Sequence, residues 1–393
     1  MASPFSGRWS LLAFGFAFAF FSAFGQTAFI AVFGGALRAE FDLSHGAWGS
    51  IYFLATLTSG LLIIKAGGLI DSMPLRRYAM ATVVGLGIAT LWAGATPNAV
   101  LLTVALFLLR FFGQGLMAHV ALTTMAREFD AARGRAIAIA TMGFPAGEAV
   151  FPFLGAVALG IVGWRGGWFS AALICFAVVL PLAPLLLGSH GRHVAATHVP
   201  FAALRFLLQR DMLLALPALM TSGFVSTAIA FHQVLIAEWK GWPATLFAAS
   251  FAVFGLSSIA AALGSGWLVD RFGARRLALG FLIPSAAGCL ILAASSSPLV
   301  LFAYMALHGI TNGSYATVTT SLLAEAYGTE RLGSIRATAA SVMVVSTALS
   351  PLIFGVLVDA GMPVDALIAS LGLVGIIAAA LLRLSTLTRR AGP

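Results

Sequence analysis

Apolar residues run through this 393-residue chain in stretches of about 18 or more, interrupted only by short polar or charged clusters. Each stretch predicts a helix long enough to cross a bilayer. Six are read at 10–34, 46–66, 78–96, 99–121, 136–162 and 166–187, with ends good to about three residues. Six more follow at 212–236, 245–266, 277–295, 299–323, 337–360 and 365–383. Alternating apolar and polar positions, which a membrane barrel needs, do not recur. The Phe-rich opening at 11–33 is too long for the apolar core of a signal peptide, and its removal would leave an odd number of spans. The expected class is an all-α polytopic membrane protein with twelve transmembrane helices, numbered here as spans 1 to 12.

Charge sets the orientation. Only 9% of residues are charged, and the mean hydropathy is +1.01. With the N-terminus in the cytoplasm, seventeen arginines fall in inner loops and termini, and only Arg38, Arg165 and Lys240 fall outside. Such a bias predicts that both termini are cytoplasmic. It also accounts for the net charge of +9 without nucleic acid, since the basic edges face anionic lipid headgroups. Cys175 and Cys289 lie in spans of different halves and read as small core residues, with neither a disulfide nor a metal site expected. The sequon at Asn312 falls within a span and is disregarded.

Two charged phrases repeat. "GSGWLVDRFGARR" at 264–276 and "GGLIDSMPLRR" at 67–77 align with a constant offset of 199 residues, which pairs Gly67 with Gly266, Asp71 with Asp270 and Arg77 with Arg276. The same offset pairs Gly134 with Gly333 and Pro152 with Pro351. The chain therefore reads as a tandem duplication of a six-helix unit. Its expected parts are an N-terminal bundle (1–187), a cytoplasmic linker (188–211) and a C-terminal bundle (212–393). An even number of spans per unit makes the halves parallel repeats about an axis normal to the membrane. Within the linker, "PFAALRFLLQR" at 200–210 is apolar on one side and basic on the other, as in a helix lying on the inner leaflet. His193 and His198 read as solvated loop residues.

These residues resemble the major facilitator superfamily of secondary transporters. Its loop between the second and third helices reads roughly G-x-L-x-D-R-x-G-R-R, and residues 266–276 match it nearly throughout. The first copy departs, with Ser72 in place of the Arg and Pro74 in place of the Gly. "RFFGQG" from Arg110 resembles the family's Arg and Gly-rich run in the fourth helix. "GEAVFPFLGA" at 147–156 partly meets a fifth-helix pattern associated with antiporters. The resemblance covers essentially the whole chain. It implies a two-bundle fold working by alternating access, a central cavity bordered by spans 1, 4, 7 and 10, and a monomer.

The charged hairpins have a physical role of their own. Gly makes the turn and Arg holds it at the headgroups. By the repeat symmetry, Asp71 is expected near the start of span 11 around Ile335, and Asp270 near the start of span 5 around Arg135. A helix N-terminus stabilises such a carboxylate by roughly 0.3–1 kcal/mol. A conformational latch is thus expected from Gly67, Asp71, Arg77, Gly266, Asp270, Arg271, Gly273 and Arg276.

Charges at bilayer depth mark function by default. Arg110 and Glu148 sit near the centres of spans 4 and 5, whereas Lys65 can snorkel to the interface and Asp359 lies at an outer end. Three readings are open. Arg110 and Glu148 neutralise each other as a structural bridge; Arg110 binds an anionic substrate while Glu148 takes up a proton; or Arg110 modulates a titrating Glu148 whose substrate is a cation. Tyr304, His308, Asn312, Tyr315 and Thr319 share one face of span 10, and Ser222, Ser226 and Gln233, with His232 beside it, form a weaker face on span 7. Gln26 and Gln114 complete the polar set. The competing reading for all of these is hydrogen bonding between helices.

No nucleotide-binding loop, metal cluster or nucleophile–base pair at a recognisable spacing is present, so neither an ATP-driven pump nor an enzyme is expected, and no cofactor or metal. The preferred reading is proton-coupled transport of a small organic anion across a bacterial inner membrane. Substrate-binding candidates are Arg110, Gln114, Gln26, Tyr304, His308, Asn312, Tyr315, His232 and Gln233, with Glu148 as proton carrier. The alternative is proton-coupled efflux of lipophilic or cationic compounds. A transporter-like receptor or assembly partner is the rival from another class. For the latch, Asp71→Asn is expected to favour the inward-open state, seen as faster labelling of cysteines engineered on the cytoplasmic side. Unchanged labelling removes that role.

Overall fold

The structure, a computed structural model, describes residues 8–129, 132–188, 208–328 and 332–388. His193, His198, residues 189–207 of the expected linker and most of the surface segment 200–210 lie outside the described residues. Every regular element among the described residues is a helix. In hydrocarbon this is obligatory, because backbone N–H and C=O groups find no water to bond.

Among the described residues, ten segments are long and apolar enough to cross a membrane. One of them, the 55-residue Arg133–Leu187, breaks at Gly163 (φ 70, ψ 178) and so holds both span 5 and span 6. The more polar helix Pro298–Tyr327 supplies span 10 and brings the number to twelve. The others are His45–Gly67 (span 2), Leu75–Ala95 (span 3), Arg210–Phe231 (span 7), Ala244–Phe272 (span 8), Leu332–Asp359 (span 11) and Val364–Leu384 (span 12).

Six spans are interrupted where a continuous helix is expected: span 5 turns at Met142, span 6 widens into π-helix at Cys175–Val179, span 7 breaks at His232, and spans 1, 4 and 9 depart further. Span 1 runs from Trp9–Phe21 through a tight turn at Ser22–Gly25, an extended Gln26 (φ −84, ψ 154), and Thr27–Val32. Span 4 widens into π-helix at Arg110–Met117, between Ala99–Leu109 and Ala118–Glu128. Span 9 consists of Ala274–Ala278 and Ile283–Ala294, separated by a turn. Hydropathy alone reads through them, because one or two polar residues such as Gln26 or Arg110 do not break an apolar window of span length.

The chain divides into two compact units, residues 1–197 and 198–393. In the first, span 5 rests on span 1 through glycine: a Cβ on Gly143 or Gly147 would lie 2.4 Å from the carbonyl oxygen of Phe16 or Phe20. In the second, span 11 is tied to span 7 by hydroxyls instead. Ser346 Oγ donates to Met220 O (3.1 Å) and Ser350 Oγ to Phe224 O (2.6 Å). Small residues thus bring the backbones together in both units, as expected where lipid removes the hydrophobic drive between helices.

The duplication is also legible in the turns. Asp42 (φ 49) is the sole described non-glycine with positive φ, and 199 residues later stands Gly241 (φ 70). The turn after spans 1 and 7 needs a left-handed residue, which Gly supplies without strain and Asp tolerates. Span 3 ends at Thr96 and span 9 at Ser295, again 199 apart, and each terminal carbonyl accepts from a cation. Arg165 Nη1 donates to Thr96 O (3.2 Å) and Lys240 Nζ to Ser295 O (2.9 Å).

The polarity of the accompanying ion pairs is inverted between the units. Glu40, at the end of span 1, pairs with Arg165 of span 6 (2.9 Å). Lys240, after span 7, pairs with Asp365 of span 12 (2.5 Å). The cation always serves the C-terminus of the third helix of the unit, where the dipole is negative, whichever helix delivers it. The carboxylate is secondary. Lys240→Met is therefore expected to destabilise by about 2 kcal/mol, since buried carbonyls lose a charged donor. Asp365→Asn, at a side chain 40% exposed, is expected to cost under about 1 kcal/mol. Thermal unfolding in detergent separates the two; equal losses remove the hierarchy.

Candidate functional site

The site is built where spans 1 and 4 cross. A Cβ on Gly25 would lie 2.2 Å from Leu109 O and 2.7 Å from Gly113 Cα, so the two backbones meet with no room for side chains. The motif "RFFGQG" now has a residue-by-residue explanation. Phe112 fills the space left by Gly85 of span 3, Gly113 meets Gly25 of span 1, and Gly115 admits Ile63 of span 2. The π-helical turn falls at this junction, as such turns often do at functional sites.

Arg110 is 1% exposed. The break in span 1 leaves the Gly25 carbonyl outside the helical ladder, and Arg110 Nη1 donates to it (3.1 Å) and to Thr27 Oγ1 (3.4 Å). Thr27 Oγ1 and the Tyr52 hydroxyl are 2.6 Å apart, and the guanidinium lies 5.0 Å from the Tyr52 ring centroid. Nε and Nη2 are buried without a hydrogen-bond partner. Those two atoms form the edge of the guanidinium that grips a carboxylate with two parallel bonds.

Glu148 is half-buried on span 5, next to Gly147 and one turn before Phe151. The Phe151 ring packs at 4.9 Å from that of Phe20 and 4.5 Å from that of Phe24. Arg110 and Glu148 act on each other electrostatically, yet they form no ion pair within 4.0 Å. The neutral structural bridge is not made in this structure. Gln26 and Gln114 are half-buried, and Gln26 Nε2 reaches Ser22 Oγ at only 3.5 Å.

The polar faces of the C-terminal unit divide differently from their sequence spacing. Tyr304 and His308 are 1% and 2% exposed and turn into their own bundle. His308 Nδ1 lies 2.8 Å from Ser285 Oγ of span 9, and its ring is flanked by Phe254 of span 8 (5.7 Å) and Tyr304 (5.4 Å). Tyr315 is half-buried, and its hydroxyl donates to Leu219 O of span 7 (2.9 Å). His232 is buried, bonded through Nε2 to Pro351 O (3.1 Å) and stacked on Phe354, and Gln233 is buried beside it. Tyr304, His308, Tyr315 and His232 thus serve here as contacts between helices, the competing role for polar residues in such bundles. Asn312 stays half-buried and makes no side-chain hydrogen bond among the described residues.

The hairpin residues find partners within their own units. Asp71 pairs with Arg127 at the end of span 4, and His119 Nε2 lies 3.0 Å from Gly67 O. In the second unit Glu325, at the end of span 10, accepts from Ala274 N (2.8 Å) and approaches Arg275 Nε (3.6 Å). Arg271 lies over Trp267 and Phe272, while Asp270 and Arg276 are exposed. Gly273 has φ 81 and its counterpart Pro74 has φ −54, so the two copies of the motif turn differently. That is the physical content of the Pro74 departure. Gly266 has open space around it and Arg77 is exposed.

Sequence reading missed Gly25, Thr27 and Tyr52. A Gly-Gln-Thr run inside a Phe-rich span was the available signal for the first two. Tyr52 carried none, since an aromatic residue in a span reads as lipid-facing or core.

The family model of the Major Facilitator Superfamily matches residues 15–238 and 213–393, and the chain belongs to that superfamily. An uncharacterized MFS-type transporter of Bacillus subtilis, YcxA, is 26% identical over 295 residues, covering 71% of each chain. A multidrug resistance protein B homolog of Mycobacterium tuberculosis is 31% identical over 96 residues, 24% of this chain. The chain spans only 18% of the length of that relative. Among solved structures, a bacterial homolog of the human lysosomal transporter Spinster, inward-facing and occupied, shares the fold with a TM-score of 0.72 at 14% identity, over 98% of this chain and 94% of that one.

The crossing is testable. Gly25→Ala is expected to destabilise by about 1–3 kcal/mol through overpacking. Gly160→Ala, where an added Cβ meets nothing within 4 Å, is the neutral control. A Gly25→Ala protein as stable as wild type by thermal unfolding removes the crossing as an organising contact.

Proposed function

We propose that the protein is a secondary transporter working by alternating access, which couples proton movement to a small organic anion bearing a carboxylate. One observation carries the reading. Nη1 of the buried Arg110 is occupied by Gly25 and Thr27, while the Nε and Nη2 edge is unpartnered and no ion pair to Glu148 consumes it. A cation at bilayer depth without a counter-charge is costly, and a bound carboxylate lowers that cost. Glu148, separate from Arg110 but within its electrostatic reach, is the proton carrier. Gln26 and Gln114, half-buried and lightly bonded, are the polar groups of the same unit free to meet the rest of the substrate, and in the second unit Asn312 is half-buried without a side-chain hydrogen bond among the described residues. Tyr304, His308, Tyr315, His232 and Gln233 hold the frame and would reach substrate only after rearrangement.

The remaining assignments follow the same reading. The protein functions as a monomer in a bacterial inner membrane with both termini cytoplasmic, as the arginine distribution favours. Gly67, Asp71, Arg77, Gly266, Asp270, Arg271, Gly273 and Arg276 form the hairpins that latch the inner face, and Asp71 exchanges Arg127 for a partner helix as the conformation changes.

A second reading has its own support. The Mycobacterium relative is a multidrug resistance protein homolog, and Glu148 lies one helical turn before Phe151, whose ring packs on Phe20 and Phe24. Phenyl rings on the same helix as a carboxylate suit a lipophilic cation. The two readings part in a thermal-stabilisation screen of wild type and Arg110→Ala against small carboxylates and hydrophobic cations. A ligand at 100 times its Kd stabilises by about 2.7 kcal/mol. Carboxylate stabilisation that is present in wild type and lost in Arg110→Ala is the expected result. Stabilisation by cations that survives in Arg110→Ala overturns it and directs attention to Glu148→Gln.

A further inference from the structure

Spans 8 and 9 both pack on span 10 but barely touch each other beyond their hairpin. Between them lies a groove of ≈ 660 Å³, floored by Ile310, Ser314 and Val318 of span 10. The interruption of span 9 at Leu279–Leu282 opens it, with Gly280 and Phe281 in its wall. Its size lies within the roughly 300–1,000 Å³ usual for small-molecule sites.

The lining has an unusual chemistry. Its three serines have their hydroxyls committed to their own helices: Ser257 to Val253 O (2.8 Å), Ser265 to Ala262 O (3.1 Å) and Ser314 to Ile310 O (2.8 Å). To a ligand the wall is therefore apolar along its length. Arg276 is the sole charged lining residue and stands at the hairpin end. Its neighbours are engaged, Arg275 with Glu325 and Arg271 with the rings of Trp267 and Phe272. Arg276 is exposed and makes no ion pair or hydrogen bond among the described residues. The groove thus fits a molecule with one anionic end and a long apolar body.

The rims decide the source of that molecule. Leu263, Trp267 and Ile283 beside the groove are 62%, 59% and 50% exposed, an apolar surface suited to hydrocarbon. Trp267 with Arg271 at the hairpin end is the pairing expected at headgroup depth. We propose that this groove binds an anionic phospholipid of the surrounding leaflet, with its phosphate on Arg276 and an acyl chain along the cleft between spans 8 and 9. The site is separate from Arg110 and independent of what that residue binds.

Native mass spectrometry of the purified full chain, titrated with phosphatidylglycerol or phosphatidylcholine of matched chains, tests this. The first bound lipid is expected to be phosphatidylglycerol, favoured about fivefold, the effect of one arginine at an anionic headgroup. Arg276→Ala is expected to abolish the preference and Arg276→Lys to keep it. A Cβ on Gly264 meets nothing within 4 Å, so Gly264→Leu enters the groove without disturbing the backbone and is expected to weaken binding of both lipids. Ala261→Leu is a second filling variant should the first elute as aggregate. An unchanged preference in Arg276→Ala, or unchanged first-lipid binding in the filled variants, overturns the proposal. So does displacement of the first lipid by decanoate at equal concentration, which would assign the groove to a soluble amphiphile.

Discussion

The close crossing of spans 1 and 4 at Gly25 and Gly113 is the contact on which the rest of the N-terminal unit depends. Two backbones that approach this closely exclude side chains, and in hydrocarbon the gain is dispersion and the satisfaction of polar backbone. The break of span 1 beside it frees the Gly25 carbonyl, which would be unaffordable facing lipid. Arg110 answers that carbonyl, and the carbonyl in turn fixes which edge of the guanidinium remains free. Helix break, wide turn and buried charge are thus one arrangement with three parts.

The duplicated halves share a scaffold but not a site. Arg110 corresponds through the 199-residue offset to Gly309, where an added Cβ would lie 2.0 Å from Ser257 Oγ and 2.7 Å from Phe254 O. No long side chain fits there. The second unit spends that position on packing span 10 against span 8, and the first spends it on a charge. Glu148 is similarly answered by Thr347, whose hydroxyl bonds its own helix. Both mid-span charges, Arg110 and Glu148, thus lie on the first unit, while the second holds hydrogen-bonded groups such as His308 with Ser285 in its interior.

The ion pairs show what duplication preserves and what it leaves open. At the loop ends of spans 3 and 9 the invariant requirement is a donor for a terminal carbonyl, met by Arg165 on Thr96 and by Lys240 on Ser295. The partner carboxylate follows the cation, so the pair can invert polarity without altering the fold. A similar freedom appears at the hairpins, where Asp71 pairs with Arg127 in one unit and Arg275 approaches Glu325 in the other.

The amino-acid sequence by itself determined the class, the twelve spans and the internal repeat, because hydropathy and a constant offset are properties of the chain alone. It also singled out Arg110 and Glu148, since a charge at bilayer depth is conspicuous in any span. Only the tertiary structure decided which face of a polar helix looks where. The four- and three-residue spacing of Tyr304, His308, Asn312 and Tyr315 places them on one stripe, but a stripe broad enough to touch two neighbours is divided by how those neighbours pack. Likewise the partners of Arg110 are a carbonyl, a hydroxyl and a phenol ring from spans 1 and 2, groups that carry no charge to be noticed and acquire their meaning only where two glycines let the helices meet.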